Sequence, residues 1–177
     1  MRWLNQQQKR KVIKKMPKFV SLKIRKKSGA RLAAVQATYM AAFGDLPIDE
    51  VIKDFTDGQI GRYVIDEKGI NHTEELVEIS PIDTAYFENL VKGVHQKKEQ
   101  LEKSLSLYLK EKWDFEKMDG TMQSLLLCAV YELTNNMDVD TKVLIQEYVD
   151  LAYAFFAKNE PKMVNALLDQ IAHAVRS

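Results

Sequence analysis

Three histidines, one cysteine and several carboxylate pairs are the side chains with which this 177-residue chain could do chemistry. His72, His95 and His173 lie in separate segments, and none has a Cys or His at ligand spacing. His95 has Glu99 one helical turn on, but a metal site needs more ligands than that pair. Cys128 stands in the run Leu125 to Val130 with no polar neighbour to lower its pKa, which suits packing rather than nucleophilic attack. A single cysteine allows no internal disulfide and fits a reducing compartment. The acids Glu74 with Glu75, and Glu147 with Asp150, lack an apolar pocket that would raise one pKa, so they read as solvated faces. Asp54, Asp57 and Gly58 lack the alternation of a calcium loop, and Gly58 with Gly61 makes no phosphate loop. The expectation is a protein that is not an enzyme and holds no cofactor or metal.

Charge is distributed more informatively. The formal net charge is +1, yet residues 1–44 carry 12 Lys and Arg and no Asp or Glu. The remaining 14 basic residues face all 25 acidic ones, leaving the rest of the chain at net −11. A basic arm joined to an acidic body points to a polyanionic partner, because clustered cations release the counterions condensed on phosphates. Two other readings stay open at this level: a merely solvated basic tail, and an organellar transit peptide. The dominance of Lys over Arg, and the scarcity of Ser (Ser21 and Ser28), weigh against the second.

The elements that would hold such an arm are helical. Gly and Pro together supply only 7 and 4 residues, too few for a sandwich of short strands, and no apolar run approaches the roughly 18 residues of a membrane span. Residues 1–28 read as a flexible basic N-terminal arm with some local helix, interrupted at Pro17. Residues 29–177 read as one helical domain. Ala33, Gln36, Ala37, Met40 and Ala41 trace the face of a first packed helix that Gly44 stops, with Phe43 widening its apolar stripe. Ile48 to Phe55 can form a short helix, Asp57-Gly58 is a turn, and 62–65 and 76–79 look extended or weakly helical. Asp83 should cap a long helix to about Lys112. A mostly apolar, central helix follows from about Asp119, a third opens at Asp140 or Thr141, and Asn159 caps the last, with Pro161 in its first turn. The fold class is all-α.

Several blocks then carry a family resemblance. Ala30-Arg-Leu-Ala-Ala-Val-Gln-Ala-Thr-Tyr39 resembles the opening helix of the NusB transcription antitermination proteins. The resemblance continues through Tyr86 to Val94, Ala129 to Leu133, Lys142-Val143 with Glu147, and Met163 to Asp169, in order and at similar spacing over residues 25 to 176. It implies a NusB-like helical bundle of two small subdomains that binds boxA-type single-stranded RNA. The implied partners are NusE, a small-subunit ribosomal protein, and the RNA polymerase antitermination complex that supports ribosomal RNA transcription in a bacterial-type cytoplasm.

Carried over residue by residue, the implied RNA surface comprises Arg25, Lys26, Lys27, Arg31, Gln36 and Tyr39, with Asn159, Lys162 and Met163 at the start of the last helix. Lys and Arg suit phosphates, an aromatic ring suits a base, and the free amides of a helix N-terminus suit an anion. For Tyr39, a partly buried core position is the competing assignment. The chain departs from the family where Met163 replaces a frequent Phe and Ala166 a usual Gly. It departs again where Met122, Gln123 and Leu127 replace charged residues of the partner-facing side. The residues up to Ile24 and a stretch near 58–78 exceed the usual length. Other function classes are a protein-interaction module, such as a homodimer with a basic tail, and the detached RNA-binding domain of an RNA methyltransferase.

Overall fold

The computed structural model describes residues 21–44, 46–58, 60, 63–68, 73–78, 81–109, 113–157 and 159–176. The first 20 residues, most of the expected arm, lie outside this set, as do Gly61 and His72. Helix α1 spans Leu22–Phe43. It starts where the Ser21 hydroxyl accepts a hydrogen bond from the Ile24 amide at 3.4 Å, a side-chain N-cap. The helix therefore runs through residues 22–28, which the sequence reading gave to the arm. Past Pro17 nothing interrupts it, and Lys and Arg are good helix formers. Arg25, Lys26 and Lys27 thus stand on a helix whose rotation is set by the buried Ala30, Ala33, Ala34, Val35 and Ala37.

Helix α2, Ile48–Thr56, buries Val51, Ile52 and Phe55, and the Phe55 ring lies 5.3 Å from that of Phe87. The Asp57-Gly58 turn is present, with Gly58 at φ 73°, a left-handed conformation that glycine adopts without a Cβ penalty. The extended stretches that follow form an antiparallel hairpin, β1 (Tyr63–Lys68) and β2 (Thr73–Glu78), in register Ile65 to Leu76 and Lys68 to Thr73. This hairpin is an addition to an otherwise helical fold.

Asp83 caps α3, Thr84–Tyr108, by accepting from the Tyr86 amide at 3.1 Å, while its own amide donates to the Lys26 carbonyl of α1, also at 3.1 Å. Helix α3 ends four residues before the expected Lys112, where Leu109 turns extended. A 3-10 turn at Phe115–Lys117 then leads to α4, Gly120–Asn135, capped by Asp119. Met122, Leu125, Leu126, Leu127, Cys128, Ala129, Val130 and Leu133 are all buried, which places α4 at the centre as its all-round apolarity requires. Each fully buried leucine there contributes about 1.5–3 kcal/mol relative to exposure.

Asp140 caps α5, Thr141–Phe155, and α6 follows at Glu160–Val175. Helices α1, α2 and α3 pack together, with α1 and α3 against α4 on one side, and α5 and α6 pack on each other and on α4 on the other. One continuous core runs through both groups. Arg176, just past α6, clamps the far end of α4. Its guanidinium donates to the carbonyls of Leu133 (2.8 Å), Glu132 (3.1 Å), Asn136 (2.7 Å) and Val139 (2.6 Å). These include carbonyls that a helix C-terminus leaves without an intrahelical partner.

Candidate nucleic-acid interface

Helix α1 carries Lys23, Arg25, Lys26, Lys27 and Arg31 and no acid. Helical geometry sorts these cations. Offsets of 7, 11 and 18 residues come close to about two, three and five whole turns, so Arg25, Leu32, Gln36 and Phe43 share one stripe with Tyr39 at its edge. All are half-buried except Phe43, which is 50% exposed, and the opposite side of the helix is core. Lys27 lies about 200° round the helix from Arg25. Its ammonium sits 4.9 Å from the centroid of the Tyr86 ring, a cation–π contact. Lys26, also half-buried, lies between them.

Arg31 does not belong to this surface. It is 3% exposed, and its Nε donates to Glu132 Oε2 at 2.8 Å, its Nη1 to Glu147 Oε2 at 3.2 Å and its Nη2 to the Tyr86 hydroxyl at 2.6 Å. Burial by itself would loosen the Arg31 proton, but the charge of Glu132 and its hydrogen bond override that and raise the pKa above the ordinary arginine value. Glu132, 2% exposed, also accepts from Tyr148 Oη at 2.6 Å, from the Tyr86 hydroxyl, and from Asn136 Nδ2 at 3.3 Å. Burial, then the Glu132 charge, pushes both tyrosine hydroxyls well above their usual range, so they stay neutral donors. A guanidinium with its donors so committed, away from solvent, cannot meet a phosphate. Glu147 is corrected with it: the carboxylate is half-buried and paired rather than solvated.

Tyr39 and Phe43, one turn apart, have ring centroids 4.8 Å from each other, tilted by 36°. They lean over Gly120, the first residue of α4. A Cβ there would stand 2.7 Å from the Phe43 ring and 2.9 Å from the Tyr39 ring. Lys26 and Tyr39 are 13 residues apart on one helix, roughly 20 Å, so cations and rings occupy opposite ends of α1.

The second group, Asn159, Lys162 and Met163, sits at the start of α6, with the first two exposed and Met163 half-buried. Asn159 holds the N-cap position but with helical φ and ψ (−99° and −33°), and its side chain makes no capping hydrogen bond. Beside it opens a cleft of about 310 Å³ whose lining includes Asp114, Lys117, Asp119, Phe156 and Glu160. Lys117 pairs with Asp114 at 2.7 Å, which leaves the Asp119 and Glu160 carboxylates to work against the dipole of α6 in holding a phosphate. Asp119 immediately precedes Gly120, so the α6 group and the Tyr39–Phe43 rings flank the same end of α4.

Two of the departures expected on a partner-facing side turn inward instead. Met122 and Leu127 are each 3% exposed, and Gln123 donates to the carbonyl of Met118 at 3.0 Å. Cys128 is buried, and desolvation pushes its thiol up to about 12 despite the Thr38 hydroxyl 3.5 Å away. Among the described residues no group of three or more His, Cys, Asp and Glu side chains could hold a metal ion, and no helix is long and apolar enough to cross a membrane. Sequence reasoning missed the network of Tyr86, Glu132 and Tyr148. Its one local signal is a carboxylate, Glu132, embedded in an apolar helix.

Comparison with known proteins fits this architecture. The model of the NusB family matches residues 28–173. The chain is 37% identical over 155 residues to the transcription antitermination protein NusB of Rhodospirillum rubrum, covering 84% of each. It is 37% identical over 150 residues to that of Novosphingobium aromaticivorans, covering 85% of this chain and 95% of the relative. The fold is similar to that of T. maritima NusB, with a TM-score of 0.63, 23% identity, and coverage of 82% of this chain and 89% of that one. With its central α4, its all-α core and relatives that are antitermination proteins and not enzymes, the chain belongs to the NusB family and is a non-catalytic protein.

Proposed function

We propose that this chain binds a boxA-type single-stranded RNA along α1 and acts with NusE in the RNA polymerase antitermination complex that supports ribosomal RNA transcription. The observation that carries the reading is α1 itself: a helix with four cations in its first two turns, no acid, and an aromatic pair at its far end. Arg25, Lys26 and Lys27 neutralise phosphates, Gln36 offers an amide to a base edge, and Tyr39 stacks a base. Asn159, Lys162 and Met163 form a secondary contact, weakened by the neighbouring carboxylates. Arg31 serves by fixing α1 rather than by touching RNA. Residues 1–28 add basic charge, and a bacterial-type cytoplasm is the compartment this role requires.

The test is fluorescence-anisotropy titration of a labelled boxA-like RNA and a scrambled control across a salt series. Preference for the boxA-like strand at every salt concentration is expected, with log K falling by about 0.7 per phosphate contact per decade of salt. Equal, weak binding to both strands would leave only a basic tail and redirect attention to protein partners.

A further inference from the structure

The RNA reading assigns Tyr39 a base but leaves its neighbour unexplained. Phe43 is a large apolar side chain held half in solvent at the C-terminal end of α1, as Leu22 and Ile24 are at its N-terminal end. It is not loose. One side of its ring meets Tyr39 at a centroid distance of 4.8 Å, and its edge lies over the bare Cα of Gly120, where a Cβ would come within 2.7 Å.

Gly120 is the first residue of α4, and a side chain there would have to push aside the outer atoms of the two rings. The result is a pre-set aromatic pair: Tyr39 half-buried, Phe43 presenting a free ring face.

The geometry points to Phe43 as a second base-stacking residue, on whose exposed face one unstacked base of the RNA lies beside the base taken by Tyr39. This rests on the RNA reading above and extends it by one nucleotide past Tyr39. A base is favoured over an apolar protein segment by the company the ring keeps. Helix α1 carries no Asp or Glu from Leu22 to Phe43, so a strand that meets the cations at its start can follow it to Phe43 without meeting a carboxylate of α1. The neighbours of Phe43 on its own face of the helix are Tyr39 and Met40, both half-buried, so its ring stands further into solvent than either. Stacking accepts any base, since every base has a π-face, so this residue adds affinity without selecting sequence.

The experiment titrates labelled boxA-like RNA with the full chain and with Phe43→Leu, Phe43→Tyr and Leu46→Ala, each checked for an unchanged melting curve. Phe43→Leu keeps apolar bulk and removes the stacking face, so a loss of about 5- to 150-fold at unchanged salt slope is expected. Phe43→Tyr binds like the wild type. Leu46→Ala trims a neighbouring exposed apolar side chain, 40% exposed, and leaves affinity unchanged. Wild-type binding with Phe43→Leu indistinguishable from it overturns the assignment alone. The same result with weakened NusE association makes Phe43 a protein contact and overturns it equally, as does a loss on Leu46→Ala that matches Phe43→Leu. Failure of the wild-type chain to bind RNA overturns the RNA reading itself and this inference with it.

Discussion

Arg31 and Glu132, 101 positions apart in the chain, form an ion pair that is almost wholly withdrawn from water, with Nε to Oε2 at 2.8 Å. Glu132 spends its acceptor capacity on Arg31, Tyr86, Tyr148 and Asn136, so neither partner is left wanting a hydrogen bond. Removing one partner strands the other. Glu132→Ala should cost about 3–5 kcal/mol, whereas Arg31→Met combined with Glu132→Leu should recover much of that loss. Urea denaturation of the three proteins measures it. A Glu132→Ala protein as stable as the wild type would contradict the buried network.

The outer cations should behave differently. Lys26→Ala with Lys27→Ala should lower the urea midpoint only by what the Lys27–Tyr86 cation–π contact supplies, but reduce the salt slope of RNA binding by about 0.7 per lost phosphate contact. Arg31→Ala, in contrast, should lower stability first. Comparing salt slopes and urea midpoints across the two variants separates an RNA-facing cation from a buried one.

Tyr39→Leu should weaken RNA binding by about 1–3 kcal/mol if the ring stacks on a base. Anisotropy titration beside a thermal melt decides the matter. Unchanged RNA affinity with a lower melting temperature would return Tyr39 to the core.

Raising the pH should destabilise the fold through its buried thiol and phenols. The Cys128 thiol is pushed from an ordinary value near 9 up to about 12 by burial. The unfolded chain therefore loses that proton first, and stability, complete below pH about 9, declines as pH rises toward 12. Tyr86 and Tyr148, also raised, add to the decline above their usual range near 10. Urea midpoints from pH 8 to 11 should fall, and Cys128→Ala should flatten the first part of the curve.

Arg176→Ala should leave carbonyls at the end of α4 without donors, at about 1–3 kcal/mol for each one that water cannot reach. Arg176→Lys should fail to rescue it, because one ammonium cannot span four acceptors as a planar guanidinium does. Amide hydrogen exchange at the last turn of α4 is the readout. Protection equal to the wild type would contradict the clamp.

Where local chemistry decides structure, the sequence was legible. Asp83 caps its helix as expected, and the helices read from about Asp119 and from Asp140 or Thr141 begin where those two aspartates cap them, whereas Asn159, the other expected cap, makes no capping side-chain hydrogen bond. The apolar breadth of α4 foretold its central place. Arg31 was misread because nothing within reach along the chain distinguishes it from Lys26 or Lys27. Its partners lie 55, 101 and 116 residues away, at Tyr86, Glu132 and Glu147. Phe43 was misread in the opposite sense. Its apolar character suggested packing, but at the last turn of α1 Tyr39 and Gly120 are placed against its ring, and half of the residue is left in solvent.

The buried guanidinium of Arg31 also acts as an angular index for α1. A helix whose inner side is built largely from alanine and valine has little side-chain relief to fix its rotation, and a shift of one residue turns it by about 100°. With Arg31 locked to Glu132, such a slip would expose a charge pair on one side and bury Gln36 on another. The orientation in which Arg25, Gln36, Tyr39 and Phe43 look outward is thus set by a cation that never leaves the interior.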